Sequence, residues 1–178
     1  GKSGDSIISP PMTALPQLLS ELKLDAKRPI WTLFTSSMDE CISDPAYHGA
    51  FPTQESWIEA TVAYTARRPS LQLVIRVHPN TGSVQKERYN AGEVAYFAAL
   101  ANRLPSNVRL VESDAVVSSY NLAEASQVVL IWHSTMGLEM ASIGRPVVRA
   151  GTGLYLGTSF LRQADDPAVY DALLDELA

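Results

Sequence analysis

One cysteine, Cys41, stands among 178 residues, and a lone thiol excludes both an internal disulfide framework and any metal site built from several cysteines. Histidine is almost as scarce, with three in the chain, and no grouping of His, Asp and Glu has the ligand spacing of zinc. No metal and no cofactor is expected. No apolar run approaches the ~20 residues that a membrane-crossing helix needs, and nothing after Gly1 resembles a secretory leader. A cytoplasmic location follows as the expectation, with membrane association only through other regions. Positive charge is short as well: 14 Lys and Arg against 19 Asp and Glu leave a net charge of −5. A broad nucleic-acid footprint, which needs excess positive charge, is thereby disfavoured. The dinucleotide fingerprint, the P-loop and the glycine-flanked nucleophile elbow are also missing. An anionic ligand, if there is one, must be met by a few local donors.

What is present is an alternation. The chain is 46% apolar, and a domain of this size buries about 70% of its unfolded surface. Residues 1–29 carry Pro10, Pro11, Pro16 and Pro29 around one helical pattern, Leu18-Leu19-Glu21-Leu22, and read as a tail or linker with a short helix. The start at Gly1-Lys2-Ser3-Gly4, without methionine, suggests a trimmed chain or a piece of a longer protein. The domain is expected over 30–178. Strands are read at Ile30 to Phe34, Leu71 to Val77, Val108 to Val111, Val128 to Trp132 and Pro146 to Val148. Helices are read from Thr53 to about Arg67, Glu93 to Leu104, Ser119 to Ala125, Leu138 to Ile143 (ended by Gly144) and Pro167 to Leu177. The second of these helices is expected to turn Val94, Phe97, Ala98, Leu100 and Ala101 inward. Asp39 to Pro52 reads as an irregular loop, Gly82 to Asn90 as exposed, and the glycines from Gly151 to Gly157 as a mobile loop. Strands joined by connections too long for hairpins require a parallel sheet covered on both faces. The expected fold is α/β: a three-layer Rossmann-like domain with a mostly parallel sheet of five to six strands.

In such sheets the ligand lies beyond the carboxyl ends of the strands, so the residues that follow strands carry the functional information. Three exits are polar: Thr35-Ser36-Ser37, Arg76-Val77-His78-Pro79-Asn80 and His133-Ser134-Thr135-Met136-Gly137. At the third, free backbone amides and the hydroxyls of Ser134 and Thr135 suit an anion, and Gly137 lets a phosphate approach the backbone. A plain helix cap is the alternative. His78 precedes Pro79, which holds it extended, so its imidazole should project from the sheet edge and donate to a phosphate; a structural hydrogen-bonder is the alternative. Arg76 shares a face with His78, which fits the same anion or a buried ion pair. Glu139 lies on the first turn of the next helix, placed for a ligand hydroxyl or simply as an N-terminal helix acid. Trp132 and His133 read as core, and Asp165-Asp166 as the solvated start of the last helix.

On these residues the chain resembles the nucleotide-binding, C-terminal half of GT-B glycosyltransferases, in particular bacterial capsule polysaccharide enzymes that use CMP-activated acidic sugars. Arg76-Val77-His78-Pro79 is similar to the family's His-Pro motif. The run from Ser134 to Val148 is similar to its Ser-Thr-x-Gly-x-Glu block, and Gly151 to Tyr155, Phe160 and Tyr170 to its glycine-aromatic continuation. The resemblance spans about Ile30 to Leu177; Met140, where alanine is usual, and Arg149 depart from it. It implies half of a GT-B fold in which His78 and the Ser134-Thr135 loop bind the phosphate of a nucleotide sugar, CMP-linked by preference and UDP-linked as the alternative, with Glu139 near the ribose or base. His78 is the candidate that stabilises the leaving phosphate. The implied partners are an N-terminal Rossmann domain, which holds the general base, and a saccharide acceptor. A sugar-nucleotide epimerase domain and a non-catalytic interaction module of a polysaccharide-assembly protein are the competing readings.

Overall fold

Every residue of the strands β1 (Ile30–Phe34), β2 (Gln72–Arg76), β4 (Val128–Ile131) and β5 (Val147–Arg149) is buried, which is why these runs read as nearly continuous apolar stretches rather than alternating ones. A computed structural model describes residues 12–37, 49–81, 91–152 and 159–178. With β3 (Val108–Val111) and β6 (Arg162–Gln163) they form one six-stranded sheet, in the order β3-β2-β1-β4-β5-β6, in which every pairing is parallel. That order reverses direction between β1 and β4. The two-residue β6 has no counterpart in the sequence reading, because two half-polar residues carry no periodicity.

Successive side chains leave a strand on opposite faces, so each strand feeds two cores. Trp31, Leu33, Leu73, Ile75, Leu130 and Trp132 pack against α2 (Gln54–Ala66), α3 (Ala91–Ala101) and α6 (Pro167–Leu177). Ile30, Phe34, Val74, Val129 and Ile131 pack against α1 (Leu15–Glu21), α4 (Ser119–Ala125) and α5 (Met136–Ser142). Full burial of one such aliphatic chain is worth about 1.5–3 kcal/mol, so these layers dominate the stability of the fold.

Local chemistry sets the helix ends. Thr53 and Ser56 form a reciprocal capping box at α2, and Asp166 accepts the Val169 amide ahead of Pro167 at α6. Helix α1 closes in a Schellman turn, with Lys23 and Leu24 amides donating to Ser20 and Leu19 and Lys23 at φ 52° where glycine is usual. Gly144 ends the segment after α5 at φ 79°. Residues 13–28, read as tail, are fastened to the domain. Asn121 exchanges two hydrogen bonds with the main chain of Thr13, and Gln72 two with that of Asp25. Leu18 is buried between them.

Several boundaries differ from expectation. Helix α3 stops at Ala101 rather than Leu104, and it buries Glu93, Phe97 and Leu100 while Ala98 and Ala101 face solvent; small alanines make either face acceptable, so composition misleads there. Helix α5 begins at Met136, two residues before the apolar pattern starts. Most of the loop read over 39–52, the segment 82–90 and the glycine-rich run beyond Thr152 lie outside the described residues. Among the described residues no helix is long and apolar enough to cross a membrane.

Candidate functional site

The reversal of strand order places the exits of β1, β2 and β4 side by side, and hydrogen bonds lace them together. Thr35, just past β1, donates its amide to the Arg76 carbonyl at 3.1 Å and accepts the His78 amide on its hydroxyl at 2.8 Å. Ser36 turns the other way: its Oγ accepts the His133 amide, past β4, at 3.0 Å. Ser36 is itself gripped by Gln54, whose side-chain oxygen accepts the Ser36 amide at 2.6 Å and whose side-chain nitrogen donates to the Ser36 carbonyl at 3.0 Å. The β1 exit is thus the splint that sets the other two.

Between these exits lies a cleft of about 130 Å³ lined by Phe34, Thr35, Arg76, His78, Pro79, Ser119, Ser134, Thr135 and Met136. The imidazole of His78 and the hydroxyls after β4, which the sequence places 56 residues apart, share one wall. His78 Nδ1 accepts the Asn80 amide at 3.2 Å. An accepting Nδ1 has no proton, so the neutral ring carries its proton on Nε2 and acts there as a donor. Ser134 Oγ accepts the Met136 amide at 3.3 Å, while Thr135, at the helix boundary, makes no side-chain cap. The cleft is therefore rich in donors, and Arg76 adds a buried guanidinium whose pKa burial lowers from the ordinary value while Asp114 raises it.

Four candidates do not line the cleft. Ser36 and Ser37 are buried beneath it, and Ser36 has the positioning role just given. Gly137 serves packing: a Cβ there would stand 2.3 Å from Ile131 Cδ1 and 3.4 Å from Val147 Cγ1, so its missing side chain lets α5 lie close on the sheet. Glu139 stands near the Tyr120 hydroxyl, and its carboxylate raises the pKa of that phenol. Ser119 opens α4 as expected and is in the cleft wall, while the cap position is Ser118, without a side-chain bond. Gln54 was not singled out, because a polar residue at the first helical position looks like an ordinary solvated end. Trp132 is core, 5.6 Å from Trp57 between ring centroids. Among the described residues no group of His, Cys, Asp and Glu could hold a metal ion.

The sequence matches the profile of the capsule polysaccharide biosynthesis protein family over residues 36–168, well over half of the chain. The chain belongs to this family. No curated protein matches it. Among solved structures, the family member is similar to the β-Kdo 2,4 transferase KpsC of Thermosulfurimonas dismutans, at 16% identity and a TM-score of 0.54, with 85% of this chain and 47% of that one covered. It is similar to the E. coli ADP-heptose LPS heptosyltransferase II, at 13% identity and a TM-score of 0.57, covering 92% of this chain and 50% of that one. The UDP-GlcNAc 2-epimerase of Neisseria meningitidis, solved with UDP-GlcNAc, gives 14%, 0.57, 92% and 38% in the same order. At these identities the likeness establishes the fold alone, that of a Rossmann-like GT-B domain. The chain spans half or less of each of these structures.

Proposed function

We propose that this capsule-synthesis domain is the donor-binding half of a cytoplasmic, two-domain GT-B glycosyltransferase that builds bacterial surface or capsule polysaccharide. The observation that carries the reading is the cleft at the strand-order reversal, where His78, Ser134 and Thr135 converge. Fold alone would not support it, since Rossmann-like sheets host many functions. The phosphate of a nucleotide sugar sits against His78 Nε2–H and the hydroxyls of Ser134, Thr135 and Ser119, with Glu139 towards the ribose or base. As the glycosidic bond breaks, charge collects on the leaving phosphate, and donors fixed in advance stabilise it without reorganising. Because the donors are protein groups, the step needs no metal. A CMP-linked donor is favoured and a UDP-linked one is the alternative. An N-terminal Rossmann domain supplies the general base and the acceptor contacts, so this chain alone binds nucleotide weakly and turns over little.

Calorimetric titration with CMP, CDP, UDP and UDP-GlcNAc tests the reading. At least one is expected to saturate, with affinity falling about tenfold or more in His78→Ala and in Ser134→Ala, as loss of a hydrogen bond to a charged group implies. Saturation by none of the four, or affinity unchanged in both variants, refutes it. The likeness to the Neisseria epimerase favours one second reading, a sugar-nucleotide epimerase domain. Product analysis of the parent protein separates the two, since transfer consumes an acceptor and epimerisation does not.

A further inference from the structure

Arg76 carries a buried charge with no ion-pair partner among the described residues, and the Asp114 carboxylate offsets it only through space, outside ion-pair distance. The ion pairs found there join Arg68 to Asp175, Arg103 to Glu59 and Arg162 to Glu176, all with partly exposed side chains. Arg76 is only 3% exposed, and its guanidinium stays ionised at any ordinary pH. One terminal nitrogen donates to the main-chain carbonyl of Glu112, whereas Nε is buried without a hydrogen-bond partner. Satisfying one carbonyl does not require an arginine. A buried charge without a contacting counter-charge is costly to a fold, and replacing such a charge with an apolar chain of similar volume often stabilises a protein. The residue lines the cleft beside His78, Ser134 and Thr135.

We propose that Arg76 is the counter-charge of the ligand: a phosphoryl oxygen of the bound molecule, rather than a protein carboxylate in contact with it, completes its neutralisation. The inference rests on reading the cleft as an anion site but not on the identity of the nucleotide or the sugar. Three consequences follow. The group held there carries its own negative charge, so an uncharged nucleoside is rejected. Inorganic phosphate alone suffices to occupy the position. Arg76 costs the unliganded domain stability, which anion binding restores by mass action.

The test measures thermal midpoints of wild type, Arg76→Met, Arg76→Gln and Arg76→Lys, in chloride and in inorganic phosphate at matched ionic strength. Wild type is expected to gain stability saturably in phosphate. Arg76→Met is expected to melt above wild type in chloride and to show no phosphate response, and Arg76→Gln to lose the response as well, so that one neutral variant remains informative if the other does not fold. Arg76→Lys keeps a charge but loses the fixed fork, and half-saturates at about tenfold higher phosphate. A wild type indifferent to phosphate, a neutral variant that responds like wild type, or an Arg76→Met less stable than wild type in chloride each overturns the proposal. A phosphate response that depends on Arg76, without any nucleotide binding, upholds it and defeats the donor-site reading. Nucleotide binding untouched by Arg76→Met does the reverse.

Discussion

Gln54→Met perturbs the splint beneath the cleft while leaving the cleft wall intact. Gln54 is 2% exposed and uses both ends of its carboxamide on the main chain of Ser36, at 2.6 Å and 3.0 Å. Methionine matches its length and volume but donates nothing and accepts weakly, so the change leaves little cavity and isolates the loss of two hydrogen bonds. Each buried backbone group left without a partner costs about 1–3 kcal/mol, the carbonyl at the lower end because carbonyls tolerate under-satisfaction better. The expected loss is about 2–4 kcal/mol, a large fraction of the 5–15 kcal/mol typical of a domain. Urea unfolding followed by circular dichroism measures it, as a fall in the midpoint at constant m. Gln54→Glu keeps the acceptor for the Ser36 amide but turns a second oxygen on the Ser36 carbonyl, and is expected to lose at least as much. Since Ser36 also holds the His133 amide, ligand affinity should fall in both variants at temperatures where they are fully folded. A loss below about 0.5 kcal/mol in Gln54→Met, the size of an ordinary surface substitution, refutes the idea that Gln54 sets the β1 exit.

Gly137→Ala should be destabilising, but by less than the ~1–3 kcal/mol usual for overpacking, because the new methyl meets only the end of the buried Ile131 side chain and alanine regains about 1 kcal/mol of helix propensity; a loss above about 3 kcal/mol in the same unfolding assay would contradict this. Stability should also fall in alkali. Burial first, and then the hydrogen bond to Asp175, pushes the Tyr64 phenol from its ordinary 10.0 to about 12, and burial raises Tyr96 and Tyr170 further. Phenols that ionise later in the folded state than in the unfolded chain contribute their full share below pH 10 and lose it as pH climbs above that value. Alkaline titration followed by phenolate absorbance and circular dichroism should show late tyrosine ionisation coinciding with unfolding. Tyrosines that titrate normally while the fold persists would contradict this.

The strands were legible because a strand buried on both faces is mostly apolar, with Thr32, Gln72, Arg76 and Arg149 the buried polar exceptions, and β1 and β3 have the bounds read from the sequence. The polar exits were legible because clustered hydroxyls and imidazoles interrupt the apolar runs, although Thr35, Ser36 and Ser37 themselves stay buried. Harder to read were residues whose polarity serves another element. Gln54 looks like a solvated helix start until Ser36 is seen across from it, Ser36 looks like a ligand contact until the His133 amide claims it, and Gly137 looks like a phosphate glycine until Ile131 is seen against it.

By itself, then, the order of elements and the chemistry of the loops determined an α/β domain with its informative residues at the strand ends, because burial dictates polarity along the chain. Only the tertiary structure decided that β1 and β4 are the neighbours across the reversal, and hence that His78 and Ser134 share a wall while Ser36 and Gly137 do not. Strand order is a choice among packings that satisfy the same pattern almost equally, and it is settled by contacts between residues far apart in sequence, which no local pattern records.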